Sequence, residues 1–139
     1  MEELSNDVSI RGSFEIILKI LNIKETDFID DKYYINAISY EQINKIIEIV
    51  PSIYNYEMEG YIKNKDLIDF INKNKQFVLE GLILSPAYDN CHLYFKGLKS
   101  PNTKTNEELI ESLLQKYISK PLNIIESEIK EGFIRIYWN

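Results

Sequence analysis

The sequence predicts an α+β fold in which about four helices pack on one face of a largely antiparallel sheet of four to six strands. Four segments carry apolar residues at the i, i+3, i+4 spacing of a helix, and two pairs of apolar segments separated by turn residues indicate hairpins. Helices and strands do not alternate regularly, as they do around a parallel sheet. The chain of 139 residues has the length of one globular domain, so we expect residues 1–139 to share one core.

Each predicted helix begins at a residue whose side chain can accept a backbone hydrogen bond. These predicted N-caps are Ser13, Ser39, Asn64 and Asn106. The first helix is predicted over about 13–23. The second, over about 40–50, is the best defined because Ser39 and Gln42 match a capping box and a proline follows the apolar spacing.

Hairpins are predicted over 77–96 and 122–138, where apolar and aromatic runs flank turn residues. Two shorter strands are expected, at 33–35 and at 54–58. The second is predicted because tyrosine and methionine alternate there with polar residues. The polar stretch 97–106 is predicted to be a long exposed loop, since it combines serine, proline, asparagine and threonine with lysines.

The charge is distributed unevenly along the chain. Sixteen Lys and Arg stand against 22 Asp and Glu, for a net charge of −6, whereas residues 1–60 alone carry twelve acids and five bases. An acidic surface steers a basic partner, and tyrosine is enriched at the centres of interfaces. The predicted partner-binding residues are therefore Asp27, Asp30, Asp31, Tyr33, Tyr34, Tyr54, Tyr56, Glu57 and Glu59.

Most of the familiar catalytic and cofactor motifs are absent from the sequence. There is one cysteine, Cys91, and one histidine, His92, so neither a disulfide framework nor a zinc site is expected. The glycines form neither a phosphate-binding loop nor a nucleophile elbow. Asp27, Asp30 and Asp31 lie close together, but they lack the calcium-loop pattern. We expect no cofactor and no bound metal.

Three functional hypotheses follow from these observations, of which the third is a plain accessory domain of a larger assembly. The first is a small acidic protein-binding module, an inhibitor, antitoxin or immunity-type protein that covers a basic partner such as a toxin nuclease. The alternative is a carboxylate-dependent hydrolase with Glu80, Asp89 and His92 around the 77–96 hairpin, although Glu80 is expected to face solvent on a half-exposed strand. Contiguous carboxylates and exposed tyrosines without a deep pocket would favour the binding module, whereas a concave pocket over the hairpin that contains Glu80 or His92 would favour the enzyme.

The sequence also bears on the kind of partner and on the compartment. With two arginines in the whole chain, direct sequence-specific binding of nucleic acid is not expected, because arginine is the main reader of guanine and phosphate. The acidic start lacks the features of a secretory signal, and no apolar run has the length of a membrane span. We therefore expect a cytoplasmic protein that does not bind membranes.

Overall fold

The computed structural model describes residues 9–117 and 125–138, and it confirms the predicted α+β fold. Five antiparallel strands form one sheet in the order β1-β2-β3-β5-β4. The strands are β1 Lys32–Ile38, β2 Val78–Leu84, β3 Leu93–Pro101, β4 Ile125–Lys130 and β5 Phe133–Trp138, and the helices are α1 Phe14–Leu21, α2 Tyr40–Ile49, α3 Asn64–Lys73 and α4 Lys104–Gln115. Among the described residues, no helix has the length and apolarity needed to cross a bilayer.

One face of the sheet carries the helices and forms the core. Leu79, Leu98 and Ile136 are aligned across β2, β3 and β5, and all three are buried. Each helix contributes residues to the same buried cluster, among them Ile17, Ile46, Leu67 and Ile110. Because side chains alternate along a strand, the neighbouring rows point to the opposite face, here called the open face.

The capping box of α2 is confirmed. The backbone N–H of Gln42 donates to Ser39 Oγ at 3.2 Å, and the backbone N–H of Ser39 donates to Gln42 Oε1 at 2.9 Å. Ser13 occupies the N-cap position of α1, but its side chain accepts no capping hydrogen bond. Both serines lie at N-cap positions, but Ser39 makes the capping hydrogen bond and Ser13 does not.

Two of the predicted caps are wrong. Lys63 precedes α3, and Asn64 lies inside the helix, where its Nδ2 donates to the Ile53 carbonyl at 2.9 Å. Thr103 caps α4 by accepting from the backbone N–H of Asn106, whose own side chain donates to the Pro101 carbonyl. Both asparagines are buried, so their amides satisfy carbonyls of the preceding segment instead of capping the helix.

The predicted strands were partly right. The short strand at 33–35 exists and extends over the whole of β1, and the 77–96 hairpin corresponds to β2 and β3. The predicted loop at 97–106 is wrong, because β3 continues to Pro101 and pairs there with β5. The predicted strand at 54–58 is also wrong: it follows the 3-10 turn Pro51–Ile53, and its first backbone hydrogen bonds are local.

The second predicted hairpin corresponds to β4 and β5. Glu131 and Gly132 connect them with φ values of 52° and 83°, as in the two-residue turns that suit the twist of a hairpin. Residues 122–124 of the predicted range lie outside the described residues. β4 forms one edge of the sheet and β1 the other.

Candidate functional site

The predicted aspartates lie just before the edge strand β1. Asp30 and Asp31 have φ values of 53° and 63° and form a tight turn in which Ile29 and Lys32 are hydrogen-bonded in both directions. Both aspartates are exposed. Asp27 is also exposed, although its carboxylate accepts a hydrogen bond from the backbone N–H of Lys24 at 3.0 Å. No group of three described acidic, histidine or cysteine side chains is arranged to hold a metal ion.

Two of the predicted tyrosines contribute to packing within the fold. The Tyr33 ring lies 5.8 Å from the ring of Phe28 and packs against the core. Tyr54 is half-buried, and its hydroxyl donates to Asp69 Oδ1 at 2.8 Å. That hydrogen bond raises the pKa of Tyr54. The alternation that predicted a strand beginning at Tyr54 belongs instead to a turn held against α3.

The loop 85–91 brings the two predicted acidic segments together. At one end the Tyr88 hydroxyl donates to the backbone carbonyl of Asp30 at 3.3 Å. At the other end Asn90 Nδ2 donates to the Tyr94 hydroxyl at 2.8 Å. From Tyr94 the path continues through the His92 ring, 4.3 Å away, to the Tyr56 ring, 4.9 Å from His92. Burial, and then Tyr94, raise the pKa of Tyr56.

The exposed and half-buried residues along and beside this path are here called the tyrosine–carboxylate surface; the path itself passes below the surface at His92, which is 3% exposed. Its members are Asp30, Asp31, Tyr56, Glu57, Tyr88, Asp89, Asn90 and Tyr94. Glu59 is exposed two residues beyond Glu57. Sequence reasoning missed Tyr88, Asn90 and Tyr94 as parts of this surface, because their proximity to the acidic segments depends on the hairpin.

The loop 85–91 is held in place by Arg11 of the N-terminal segment and by the buried side chain of Cys91. The Arg11 guanidinium donates to the backbone carbonyls of Pro86, Tyr88 and Asp89. Cys91 is buried in the core, its Sγ lies 3.3 Å from the Leu84 carbonyl, and burial raises the pKa of its thiol. The tyrosine–carboxylate surface is therefore presented on a loop with several tertiary contacts.

Glu80 does not face solvent, and the prediction that it would is wrong. Its side chain is 1% exposed on the open face, and Arg135 binds it with Nε at 2.6 Å from Oε2 and Nη2 at 2.9 Å from Oε1. The Tyr34 hydroxyl donates to the same Oε1. Burial, and then this hydrogen bond to Glu80, raise the pKa of Tyr34 to about 12. The predicted interface residue Tyr34 is 43% exposed, and its hydroxyl belongs to the network around the buried Glu80 carboxylate.

Arg135 connects this network to the far edge of the sheet. Its Nη1 donates to Glu128 Oε1 at 3.0 Å, and its guanidinium lies 4.0 Å from the centre of the Tyr137 ring. The hydrogen bond to Glu80 raises the pKa of Arg135. Sequence reasoning singled out Glu80 but missed Arg135, because the two residues are 55 positions apart and their strands are not adjacent.

A cavity of about 310 Å³ lies between the segment 56–62 and the sheet. It is lined by Tyr56, Met58, Tyr61, Ile62, Asn64, Leu82, Asn90, His92, Tyr94, Phe95, Lys96 and Trp138. His92 is 3% exposed, and its ring contacts the rings of Tyr56 and Tyr94.

This cavity lies over the predicted hairpin and contains His92, which is the feature expected for the hydrolase alternative. The three residues of the predicted hydrolase site are nevertheless not assembled in it. Neither Glu80 nor Asp89 lines it. The His92 carbonyl accepts from the backbone N–H of Leu84, four residues from Glu80 along β2, a separation of about 13 Å in an extended strand. Both oxygens of Glu80 already accept hydrogen bonds from Arg135, so this carboxylate is committed to the network on the open face.

Comparison of the chain with protein-family models, with curated proteins and with solved structures found no significant match. The site is therefore interpreted from its own geometry and chemistry.

Proposed function

We propose that this protein is a binding module of the inhibitor or immunity type, which covers a basic protein such as a toxin nuclease. The tyrosine–carboxylate surface is the proposed contact area. The observation that carries the proposal is the loop 85–91, which contacts the Asp30–Asp31 turn through Tyr88 and the Tyr94 hydroxyl through Asn90. The rings of Tyr94 and Tyr56 both pack against His92, which links the loop to the segment that begins at Tyr56. Two acidic segments distant in sequence thereby become one surface with aromatic side chains between the charges.

The charges of this surface suit a basic partner. Asp30, Asp31 and Asp89 are exposed, and no described cation forms an ion pair with them. Glu57 is paired loosely with Lys63, at 3.8 Å. Exposed carboxylates of this kind accelerate encounter with a basic surface, as long as the ionic strength is low enough for their field to extend beyond the protein.

The aromatic side chains of the surface suit the role of anchors. Tyr56 and Tyr94 are half-buried, and both rings pack against His92, which restrains them before a partner arrives. A restrained ring loses little further conformational freedom when it is covered, so its burial contributes more to affinity.

The proposal keeps the cytoplasm as the compartment, where a single buried thiol such as that of Cys91 stays reduced.

The test begins with the partner that co-purifies from the native host, identified by mass spectrometry, and measures both rate constants by surface plasmon resonance. The double variant Asp30→Asn, Asp31→Asn removes two charges while keeping a residue type that tolerates positive φ. We expect its association to slow about three- to ten-fold at low salt, with a smaller effect on dissociation.

The matched control is the double variant Glu107→Gln, Glu111→Gln, which makes the same change of net charge on exposed positions of α4. Its association rate is expected to stay close to that of the wild type. An acidic partner, an association rate independent of salt, or equal effects of the two double variants would each overturn the proposal.

A further inference from the structure

Among the described residues, β3 has a neighbouring strand on one side only over its first half, and the cavity beside His92 lies there. β5 pairs with β3 from Gly97 to Pro101, so the stretch Leu93–Lys96 extends past the last paired residue. At this place Trp138 Nε1 donates to the Phe95 carbonyl at 3.1 Å, and the segment 56–62 lies opposite. The result is a recess walled by a sheet edge, a tryptophan and a loop.

A β-bulge directs a lysine into this recess. The register between β2 and β3 passes from Glu80 opposite Gly97 to Gly81 opposite Phe95, which leaves Lys96 as the extra residue. Bulges interrupt the alternation of a strand and redirect side chains, and they are frequent next to functional sites. Lys96 is half-buried, it lines the cavity, and its Nζ lies 5.9 Å from the centre of the Tyr94 ring.

The charge of the recess is unbalanced. Among the described residues that line it, Lys96 is the one charged side chain, and no described carboxylate forms an ion pair with it. A half-buried ammonium group loses hydration, and a bound anion would compensate that loss. The remaining walls are mainly apolar and aromatic, with Met58, Phe95 and Trp138 among them.

We propose that this cavity binds a small aromatic carboxylate, with the carboxylate on Lys96 Nζ and the ring among Tyr56, Tyr94 and Trp138. Aromatic walls favour a flat ring, because rings gain from stacked and edge-to-face contacts beyond their burial of area. The volume of about 310 Å³ is at the small end of the roughly 300–1,000 Å³ that is usual for ligand pockets, which favours a single ring with a short acidic chain. This inference does not depend on the existence of a protein partner.

The probe is 3-phenylpropionate, and its uncharged analogue 3-phenylpropionamide is the ligand control. Trp138 is the single tryptophan of the chain and lines the cavity, so its fluorescence reports occupancy directly. We expect saturable binding of the acid and at least about ten-fold weaker binding of the amide, since a charge-assisted hydrogen bond contributes about 1.5 kcal/mol or more.

Variants of two lysines on the same strand locate the site. Lys96→Met should weaken binding of 3-phenylpropionate about ten-fold or more and leave binding of the amide unchanged, and Lys96→Arg should retain most of the affinity for the acid. Lys99→Met is the matched control, because Lys99 is also half-buried on β3 but does not line this cavity. It should bind both ligands as the wild type does.

Three results would overturn the proposal. One is the absence of saturable binding by the wild type at millimolar 3-phenylpropionate, and another is equal binding of the acid and the amide. The third is a Lys96→Met variant that stays folded and binds the acid as tightly as Lys99→Met does. The comparison of acid with amide uses the wild-type chain, so it decides the question even if a variant fails to fold.

Discussion

Glu80 on β2 and Arg135 on β5 form a two-point ion pair even though β3 lies between their strands. The position opposite Glu80 on β3 is Gly97, and a Cβ built there would lie 3.1 Å from Glu80 Cδ. The missing side chain leaves a slot across β3, and the Glu80 carboxylate lies in that slot within reach of the Arg135 guanidinium. The glycine and the ion pair therefore depend on each other.

We predict that Gly97→Ala destabilises the protein by about 1–3 kcal/mol, the usual cost of adding a methyl group to a filled site. The added Cβ would also meet the Ile136 carbonyl at 3.0 Å, which is a backbone atom and cannot turn aside. Gly12→Ala is the matched control, because no atom of the described residues, apart from the two chain neighbours of Gly12, lies within 4 Å of the added Cβ. Urea denaturation of both variants checks the prediction, and equal stabilities would contradict it.

The two partners of this ion pair should respond unequally to substitution. Arg135→Met leaves the Glu80 charge buried without its cation, so we expect a loss of about 3–5 kcal/mol. Glu80→Gln should cost less, about 1–3 kcal/mol, because Arg135 is 30% exposed and keeps its hydrogen bond to Glu128. Thermal denaturation of both variants measures the difference. A larger loss from Glu80→Gln would show that Arg135 is the more dependent partner.

The sequence was informative where local patterns decide the structure. The spacing of isoleucines and the Ser39–Gln42 box indicated α2, and the paired apolar runs indicated β2 and β3. The predictions of N-caps at Asn64 and Asn106 failed because burial determines the partners of these side chains. Both side chains bond to carbonyls of other segments, and no local sequence pattern shows which amides will be buried.

The candidate site was predictable in part for a related reason. The exposed aspartates Asp30 and Asp31 were identified by composition and charge alone. Their connection to Tyr56 runs through Tyr88 and Tyr94, and it follows from the register of the hairpin, which periodicity does not specify. Likewise, the identity of a serine or tyrosine in the sequence does not show whether its hydroxyl bonds to the backbone, to a carboxylate or to water.

The two serine N-caps provide a matched test of this point. Ser39→Ala should cost about 1 kcal/mol, since it removes the acceptor for the Gln42 backbone N–H. Ser13→Ala should change the stability by less than about 0.5 kcal/mol, because the Ser13 side chain makes no capping hydrogen bond. Urea denaturation midpoints compare the two variants, and equal losses would mean that cap position alone matters.

Two tyrosines should make the stability depend on alkaline pH. The pKa values of Tyr34 and Tyr117 are both about 12, raised first by burial and then by hydrogen bonds to Glu80 and Asp66. Since the folded-state pKa exceeds the unfolded value of about 10, the unfolded chain loses these protons first as the pH rises. Their contribution to stability is therefore complete below pH 10 and is lost between about pH 10 and pH 12.

Tyr117→Phe isolates one of these two groups. At neutral pH the variant should be less stable by about 1 kcal/mol, because Tyr117 donates to Asp66 and accepts from the backbone N–H of Lys63. As the pH rises from about 10 to 12 the wild type loses the advantage of this tyrosine, so the two stabilities should converge. Denaturant unfolding at several pH values measures the gap.

Asp66→Asn serves as the second variant, because removal of the acceptor carboxylate should move the tyrosinate absorbance transition of Tyr117 to lower pH. A constant gap between the wild type and Tyr117→Phe up to pH 12 would contradict the assigned linkage.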